Sequence, residues 1–588
     1  MNKKKIFNIV TFSILVLSII LSIVLKSSSV INTIFRIVGI IDSVVMAVYA
    51  IAKSDRLYKV SLVMILLTVA LSYFIPQTSY QYGVLQRGAI NPVTLADVYV
   101  YTIYSANVFV PAFTYILAIG AFYFILKKTG KYETLINNVA ATFNKNKGLF
   151  IVLTVFVLGL VTFFTGEFYT LLIFVPFLIS VVRKLGYGKE TAVLSTVGAI
   201  LLGNAGALFT EDAYNQYLMG TNPYAQVSRS QIMELLKNDL FNKVLVVLIG
   251  LVALVAFILV FCNKPANTDL KKEKDSKLVP LHVTLWSTFV LLILGFVKWS
   301  GLFGFTGFDK FLETLRKWTV QKVSMFNAFG GQTVAAFGTW QLFNASVLFI
   351  LITVIIALIY KIKVKDFIES YVEGFKKAFP YAAFVVLAII VLANVAYSGI
   401  YYTLIVDVTS KTVNVFTTTI SGIFAAIFCP DSVNAAQFTI RISSLTKATG
   451  FQSVLTVTYQ AIYNLFLLIS PTSILLLLGL RYTNTSYKEW IKYIFKFFIV
   501  LFVTILVVIT VCYTGLKLSS IGAIVLLVGA LGLISYLRIS KVSKTIVKNE
   551  TKKEEKKEEK VEVKKAPAKK TTTKKSPAKK TTKKTNKK

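Results

Sequence analysis

The run LFIVLTVFVLGLVTFFTGEFYTLLIFVPFLISVV occupies residues 149–182, with Lys147 before it and Arg183-Lys184 after it. Basic residues mark the cytoplasmic side of a membrane segment, so both ends of the run belong on that side. Phe164-Thr165-Gly166-Glu167 interrupts it in the middle. Each half falls short of the roughly 20 apolar residues that cross a ~30 Å hydrocarbon core. The pattern reads as a re-entrant helical hairpin whose tip reaches toward mid-membrane. Irregular backbone is tolerated at that depth only where protein buries it or water reaches it. The competing reading is two ordinary spans joined by a tight outer turn at Gly166.

Apolar runs recur outward from this segment over most of the chain. The 588 residues are 55 % hydrophobic and 15 % charged, against about 25 % charged in a soluble protein. The chain therefore reads as an all-α polytopic membrane protein. Soluble enzymes and disulfide scaffolds are excluded, and so are β-barrels, whose strands would read as ~10-residue alternating segments. Cys262, Cys429 and Cys512 are dispersed and His282 is the one histidine. That leaves too few ligands for a zinc or haem site, or for a histidine-based triad. No cofactor is expected, and the lack of a G-x-x-x-x-G-K loop argues against an ATP-driven pump.

The basic residues set a topology. Ile6 to Leu25 follows Lys3-Lys4-Lys5; it is long for a signal peptide, and Lys26-Ser27-Ser28-Ser29 is a poor cleavage site, so it reads as a retained helix. Val30–Ala52 returns inside and Leu57–Ile75 leaves. Gln77–Ile103 is an outer loop, and Tyr104–Leu126 comes back to a basic loop. After the hairpin, Thr191–Phe209 leaves, broken at Gly203-Asn204-Ala205-Gly206. Thr210–Leu240 is an outer loop and Phe241–Cys262 returns. Lys264–Lys277 is a cytoplasmic linker. Leu281–Val297 goes out to a long stretch with an interfacial piece at Phe311–Val323. Leu342–Tyr360 comes in to a lysine-rich loop, and Ala378–Tyr397 goes out. Thr412–Ile427, broken by Cys429-Pro430-Asp431-Ser432, begins a second hairpin, entered from outside. Phe451–Leu480 is broken at Ser470-Pro471-Thr472-Ser473. Trp490–Tyr513 and Leu518–Leu537 complete about 12 full spans, with both termini cytoplasmic in a bacterial plasma membrane.

Two halves share one order of parts: span, span, hairpin, broken span, span. Their orientations are opposite, and inverted repeats with discontinuous helices are a hallmark of secondary transporters. The expected organisation is two extra N-terminal helices (1–56), a first transport repeat (57–262) and a linker, connecting helix and outer loop (263–341). A second inverted repeat (342–513), an extra C-terminal helix (514–540) and a Lys-rich cytoplasmic tail (541–588) follow.

Short motifs punctuate these parts. They are Tyr73-Phe74-Ile75-Pro76, Gly120-Ala121-Phe122, Lys128-Thr129-Gly130, Thr165-Gly166-Glu167, Gly186-Tyr187 and Gly203-Asn204-Ala205-Gly206. The second half adds Tyr459-Gln460, Asn464-Leu465, Ser470-Pro471-Thr472-Ser473 and Tyr487-Lys488-Glu489-Trp490. In these residues the chain resembles the YfcC-like, four-carbon-dicarboxylate anaerobic carrier-like branch of the ion transporter superfamily, over roughly Leu57 to Tyr513. The resemblance implies an elevator-type secondary carrier, usually a homodimer, with two hairpins and two broken helices around a small-molecule substrate. Substrates proposed across that family are basic amino acids, dicarboxylates or peptides. The second tip departs from the family's Pro-Ser-Thr-Ser-Gly-like run: here it is Cys429-Pro430-Asp431-Ser432-Val433, which carries a carboxylate.

Broken helices free backbone groups at depth; their N-terminal ends favour anions, and their C-terminal ends and loose carbonyls favour cations such as Na⁺. The candidate substrate or ion site is Thr165, Gly166, Glu167, Gly203, Asn204 and Gly206 in the first half. Its counterpart is Asp431, Ser432, Asn434, Asn464, Ser470, Thr472 and Ser473, and Na⁺ is expected near Asn204 and Thr472. Glu167 reads as a proton carrier, a Na⁺ ligand or a partner for a substrate ammonium, because an acid at a helix centre costs about 2.5–3.5 kcal/mol and usually marks function. One acid in each tip, with no lysine or arginine in either, implies a substrate with a positive group or coupling to protons.

The net charge of +37 divides unevenly: 20 Lys and 6 Glu fall in Lys541–Lys588, leaving +23 for the preceding 540 residues. The tail is low-complexity and nearly free of apolar residues after Val563, so it forms no core. It suits anionic membrane lipid or nucleic acid as a non-specific partner. The expected function is transport of an amino acid, basic ones included, or a small organic acid, coupled to Na⁺ or H⁺ or by exchange. The alternative is a membrane scaffold with a degenerate transport core, tethering nucleic acid or lipid through its tail.

Overall fold

The computed structural model describes residues 3–25, 30–81, 84–208, 229–262, 264–266, 268, 270–331, 333–406, 414–430 and 455–513. All of them belong to one unit, Met1–Leu531. Asp431, Ser432, Asn434, the return limb of the second hairpin, the Leu518–Leu537 span and the Lys541–Lys588 tail lie outside the described residues.

The protein is a predominantly helical, multi-pass membrane protein. Its first helices are α1 (Lys3–Val24), α2 (Val30–Ala52) and α3 (Leu57–Ser72). A two-stranded antiparallel hairpin of β1 (Pro76–Gln81) and β2 (Val84–Ile90) and helix α4 (Leu95–Tyr104) follow, where a plain outer loop was expected. Then come α5 (Ala106–Lys128), α6 (Tyr132–Phe143), α7 (Lys147–Thr165), α8 (Val175–Lys184), α9 (Lys189–Val193) and α10 (Ala199–Asn204). α11 (Arg229–Ala256) starts inside the expected outer loop, and a π-helical turn, Phe257–Phe261, extends it.

The second half has α12 (Val279–Phe296), α13 (Trp299–Phe303) and α14 (Gly307–Lys317). The expected interfacial piece ends as helix at Lys317 and turns over as a short hairpin of β3 (Thr319–Val320) and β4 (Val323–Ser324). α15 (Met325–Gly330), α16 (Leu342–Ile359), α17 (Val364–Tyr397), α18 (Val415–Phe428), α19 (Gln460–Phe466), α20 (Ile474–Tyr482) and α21 (Tyr487–Tyr513) complete the order. Among the described residues nine helices are long and apolar enough to cross a membrane; Leu57–Ser72 and Val415–Phe428 are apolar but shorter.

α5 and α17 form the longest packed pair, and they touch backbone to backbone. A Cβ on Gly120 would lie 2.8 Å from Gly374 O, and one on Gly374 would lie 2.6 Å from Ala121 Cα. α3 joins them through Tyr58, which stacks on Phe384 at 4.6 Å and donates to Pro380 O at 2.6 Å. α17 was expected to begin at Ala378. It starts 14 residues earlier, where Lys365–Glu369 and Glu373–Lys377 pair across one helical turn on an exposed face.

The decisive segment folds as α7, a turn and α8. Gly166 ends α7 at φ 64°, a left-handed cap that glycine adopts without strain. After it, Leu172–Phe174 is a 3-10 turn that runs into α8. At helical rise these thirteen residues reach about 20 Å, too short to cross a ~30 Å core alone, whereas α7, expected to fall short as well, is with its 19 residues long and apolar enough to cross. The linker after Cys262 is pinned to the same side of the molecule: Asn144 Nδ2 donates to Thr268 O at 2.9 Å, and Lys131 Nζ lies 2.7 Å from Asp275.

Candidate functional site

Two helices each carry a π-helical turn and then stop. α9 runs through a π-helical turn, Leu194–Gly198, into α10, which stops at Asn204. A second π-helical turn, Leu455–Tyr459, runs into α19, which stops at Phe466. The expected break at 203–206 straddles the end of α10, and that at 470–473 falls just before α20. Gly203 lets α10 touch α7, since a Cβ there would lie 2.2 Å from Gly159 O; Gly206 is pressed on α11, 2.3 Å from Lys243 O by the same measure.

The two interrupted helices meet through amides. Asn204 Nδ2 donates to Asn464 Oδ1 at 3.0 Å, and Asn464 Nδ2 donates back to Asn204 O at 3.2 Å. Gln460 Nε2 bridges Asn204 O at 2.9 Å and Ala207 O at 3.0 Å. Ala207 O also accepts from Lys243 Nζ at 3.2 Å. Carbonyls freed where α10 ends are thus satisfied by side chains of α19 and α11, as backbone buried in a membrane protein requires. Gln460 Oε1 is buried and accepts no hydrogen bond from the described residues. Lys243 is 1 % exposed, and Asp239, one turn earlier on α11, is 0 % exposed and supplies the opposing charge.

A second cluster caps α18. Ser470 Oγ donates to Ala426 O at 2.6 Å, and Thr472 Oγ1 donates to Ile427 O at 2.8 Å. Their own hydroxyls are 2.9 Å apart. Tyr463 Oη donates to Cys429 O at 2.9 Å, so α19 contacts both clusters. Ser473 sits at the start of α20, its hydroxyl buried and without a partner among the described residues.

The first tip is adjacent to the amide junction: Leu208 N donates to Phe163 O at 2.8 Å, and Leu208 O lies 3.6 Å from where a Gly166 Cβ would stand. Thr165 is buried, and its Oγ1 accepts from Thr170 Oγ1 at 3.3 Å. Glu167 is half-buried, and its Oε1 accepts from Tyr169 N at 3.2 Å within its own turn. Both turns have their carbonyls capped by aromatic donors. Tyr115 Oη donates to Tyr169 O at 2.7 Å and Tyr123 Oη to Ile173 O at 2.5 Å. In the second half Trp490 Nε1 donates to Leu468 O at 2.7 Å, and Tyr487 Oη donates to Ile469 O.

Of the expected residues, Gly203, Asn204, Gly206 and Asn464 come together, and Ser470 and Thr472 form a separate group. Asn204 and Thr472, the pair named for Na⁺, fall in different clusters. Sequence reading missed Lys243, Asp239 and, as a site residue, Gln460. The signal for Lys243 was present: a lysine in an apolar run, four residues after an aspartate, stands on the same helix face as that acid.

A predominantly helical membrane protein in which two helices end beside a shared buried polar junction has the build of a secondary carrier. The chain belongs to the DcuC family, C4-dicarboxylate anaerobic carrier, whose model matches residues 11–514. Two solved structures are similar in outline. One is the Alcanivorax borkumensis YdaH transporter, at 11 % identity and TM-score 0.39, covering 77 % of this chain and 97 % of that one. The other is Neisseria gonorrhoeae MtrF, described with a class of antimetabolite efflux pumps, at 14 % identity and TM-score 0.37, covering 79 % and 96 %. No curated protein matches the chain significantly.

Proposed function

We propose that the protein is a secondary carrier for a small organic acid, of the four-carbon dicarboxylate class that its family is named for. One observation carries this reading: the end of α10 brings a fully buried lysine, Lys243, to the junction where Asn204, Gln460 and Asn464 meet. A desolvated ammonium recognises carboxylate oxygens; the N–H groups of Gln460 and Asn464 are spent on junction carbonyls and reach a substrate only when the junction opens. The two tip acids alone favoured a cationic group on the substrate. The fold adds a buried lysine beside the first break, opposed in charge by Asp239, and Glu167 spends one oxygen on its own turn. In this account the hairpins and interrupted helices move past a frame of α3, α5, α16 and α17, driven by exchange or by a Na⁺ or H⁺ gradient.

Counterflow in proteoliposomes tests the reading. Vesicles loaded with succinate or fumarate should accumulate external labelled dicarboxylate. A panel of arginine, ornithine, lysine and neutral amino acids should not exchange; exchange of a basic amino acid alone would overturn the proposal.

A further inference from the structure

A cavity of about 630 Å³ opens between α5 and α17 on one side and α8 and α20 on the other, away from the amide junction. Its body is apolar, walled by Ile116, Ile119, Leu172, Ile179, Leu475 and Leu478. Gly120 and Gly374 also line it, where α5 and α17 pack closely against each other. Four cations also line it: Lys127, Lys376, Lys377 and Arg481. The three lysines are exposed and Arg481 is half-buried. No aspartate or glutamate lines it. The acid within reach is Glu373, 3.6 Å from Lys377 Nζ, and Arg481 stands over the Tyr58 ring at 5.8 Å.

An apolar slot with a basic lining suits neither a free dicarboxylate nor a neutral lipid. A dicarboxylate would leave the slot dry and unfilled, and a neutral lipid would leave four cations without an anion. We infer that this cavity is a binding site for an anionic phospholipid, with an acyl chain along the Ile116–Leu478 wall and the phosphate among Lys127, Lys376 and Arg481. The cavity volume is of the size that encloses one drug-sized ligand or a chain segment of that bulk. Cations that snorkel over apolar surface are the usual way such a headgroup is held.

The site is read by binding, so its failure would not touch the carrier assignment. Detergent-purified full-length protein is titrated with phosphatidylglycerol, phosphatidylcholine or oleate, and bound lipid is counted by native mass spectrometry. Phosphatidylglycerol should bind as one retained copy and phosphatidylcholine should not. Each basic residue near an anionic lipid contributes about a fivefold affinity factor, so Lys127→Gln/Arg481→Gln should weaken retention about 25-fold. Ile119→Trp, which fills the slot and keeps every charge, should also lose the lipid, while the melting temperature reports whether either variant is folded. Equal retention of both phospholipids, or retention unchanged in folded variants, would overturn the site. Oleate displacing phosphatidylglycerol at equal concentration would overturn the phospholipid as its occupant.

Discussion

Asn464→Ala cuts the junction between the two interrupted helices, and its cost can be worked out bond by bond. Three hydrogen bonds disappear: Asn204 Nδ2 to Asn464 Oδ1, Asn464 Nδ2 to Asn204 O, and Asn464 Nδ2 to Gln460 O. Asn204 O keeps Gln460 Nε2 at 2.9 Å, so that carbonyl remains satisfied. The expensive loss is the Asn204 amide, left as a buried donor that Asn464 Oδ1 no longer accepts from. Such a group costs about 1–3 kcal/mol, and a cross-helix hydrogen bond within a membrane contributes about 0.6 and at most about 1.7 kcal/mol net. The single substitution should therefore destabilise by about 2 kcal/mol. Asn204→Ala should cost about the same, and the double substitution should fall short of the sum by about 1 kcal/mol, because the first removal already forfeits the pair. Reversible unfolding in mixed micelles across this double-mutant cycle is the assay. Costs that add to within about 0.3 kcal/mol would show that the amides do not act on each other and would refute the junction.

Gly203→Ala should cost about 1–3 kcal/mol in the same assay, because its Cβ meets Gly159 backbone that cannot give way. Gly159→Ala, which meets only the end of the Leu251 side chain, should cost clearly less. Ser470→Ala and Thr472→Val each strip a hydroxyl from the last turn of α18. Each should speed amide exchange over residues 415–428, and unchanged exchange would contradict the capping. A hydrogen bond from Lys131, then one from the Lys277 backbone, holds the Asp275 carboxyl below its usual range. A lowered folded value stabilises the docked linker at neutral pH, and that stability is lost as pH falls through it. Asp275→Asn should imitate the acid state at pH 7 and speed tryptic cleavage at Lys271 and Lys272; an unchanged rate would rule out that anchor.

Hydropathy made the spans legible wherever lipid alone dictates sequence. Leu281–Val297 was expected and the helix is Val279–Phe296; Leu342–Tyr360 was expected and the helix is Leu342–Ile359. It failed where helices leave the membrane without ending. α17 continues back to Val364 because its charged turns pair along an exposed face, which an apolar-run criterion reads as loop. The β1–β2 hairpin escaped notice because it belongs to no span; Thr403 Oγ1 holds it from the far half of the chain, donating to Pro76 O at 2.7 Å. The site was half legible for a similar reason. Gly, Asn, Ser and Thr clustered at a break announce a break, but not which break they face. Asn204 and Asn464 are 260 residues apart and find each other only in the fold. Lys243 was hidden because one charge near the start of an otherwise apolar run is easily assigned to the loop before it.

The central claim, a carboxylate site at the junction beside Lys243, is tested most directly by comparing the protein with its Asp239→Asn/Lys243→Met variant in succinate counterflow. Replacing both charges by neutral groups of similar size avoids leaving one ion buried alone, a change that would cost about 3–5 kcal/mol and confuse folding with function. The account predicts trans-stimulated succinate uptake by the unsubstituted protein and none by a double variant that melts within a few degrees of it. Undiminished succinate counterflow by the folded variant would contradict the claim.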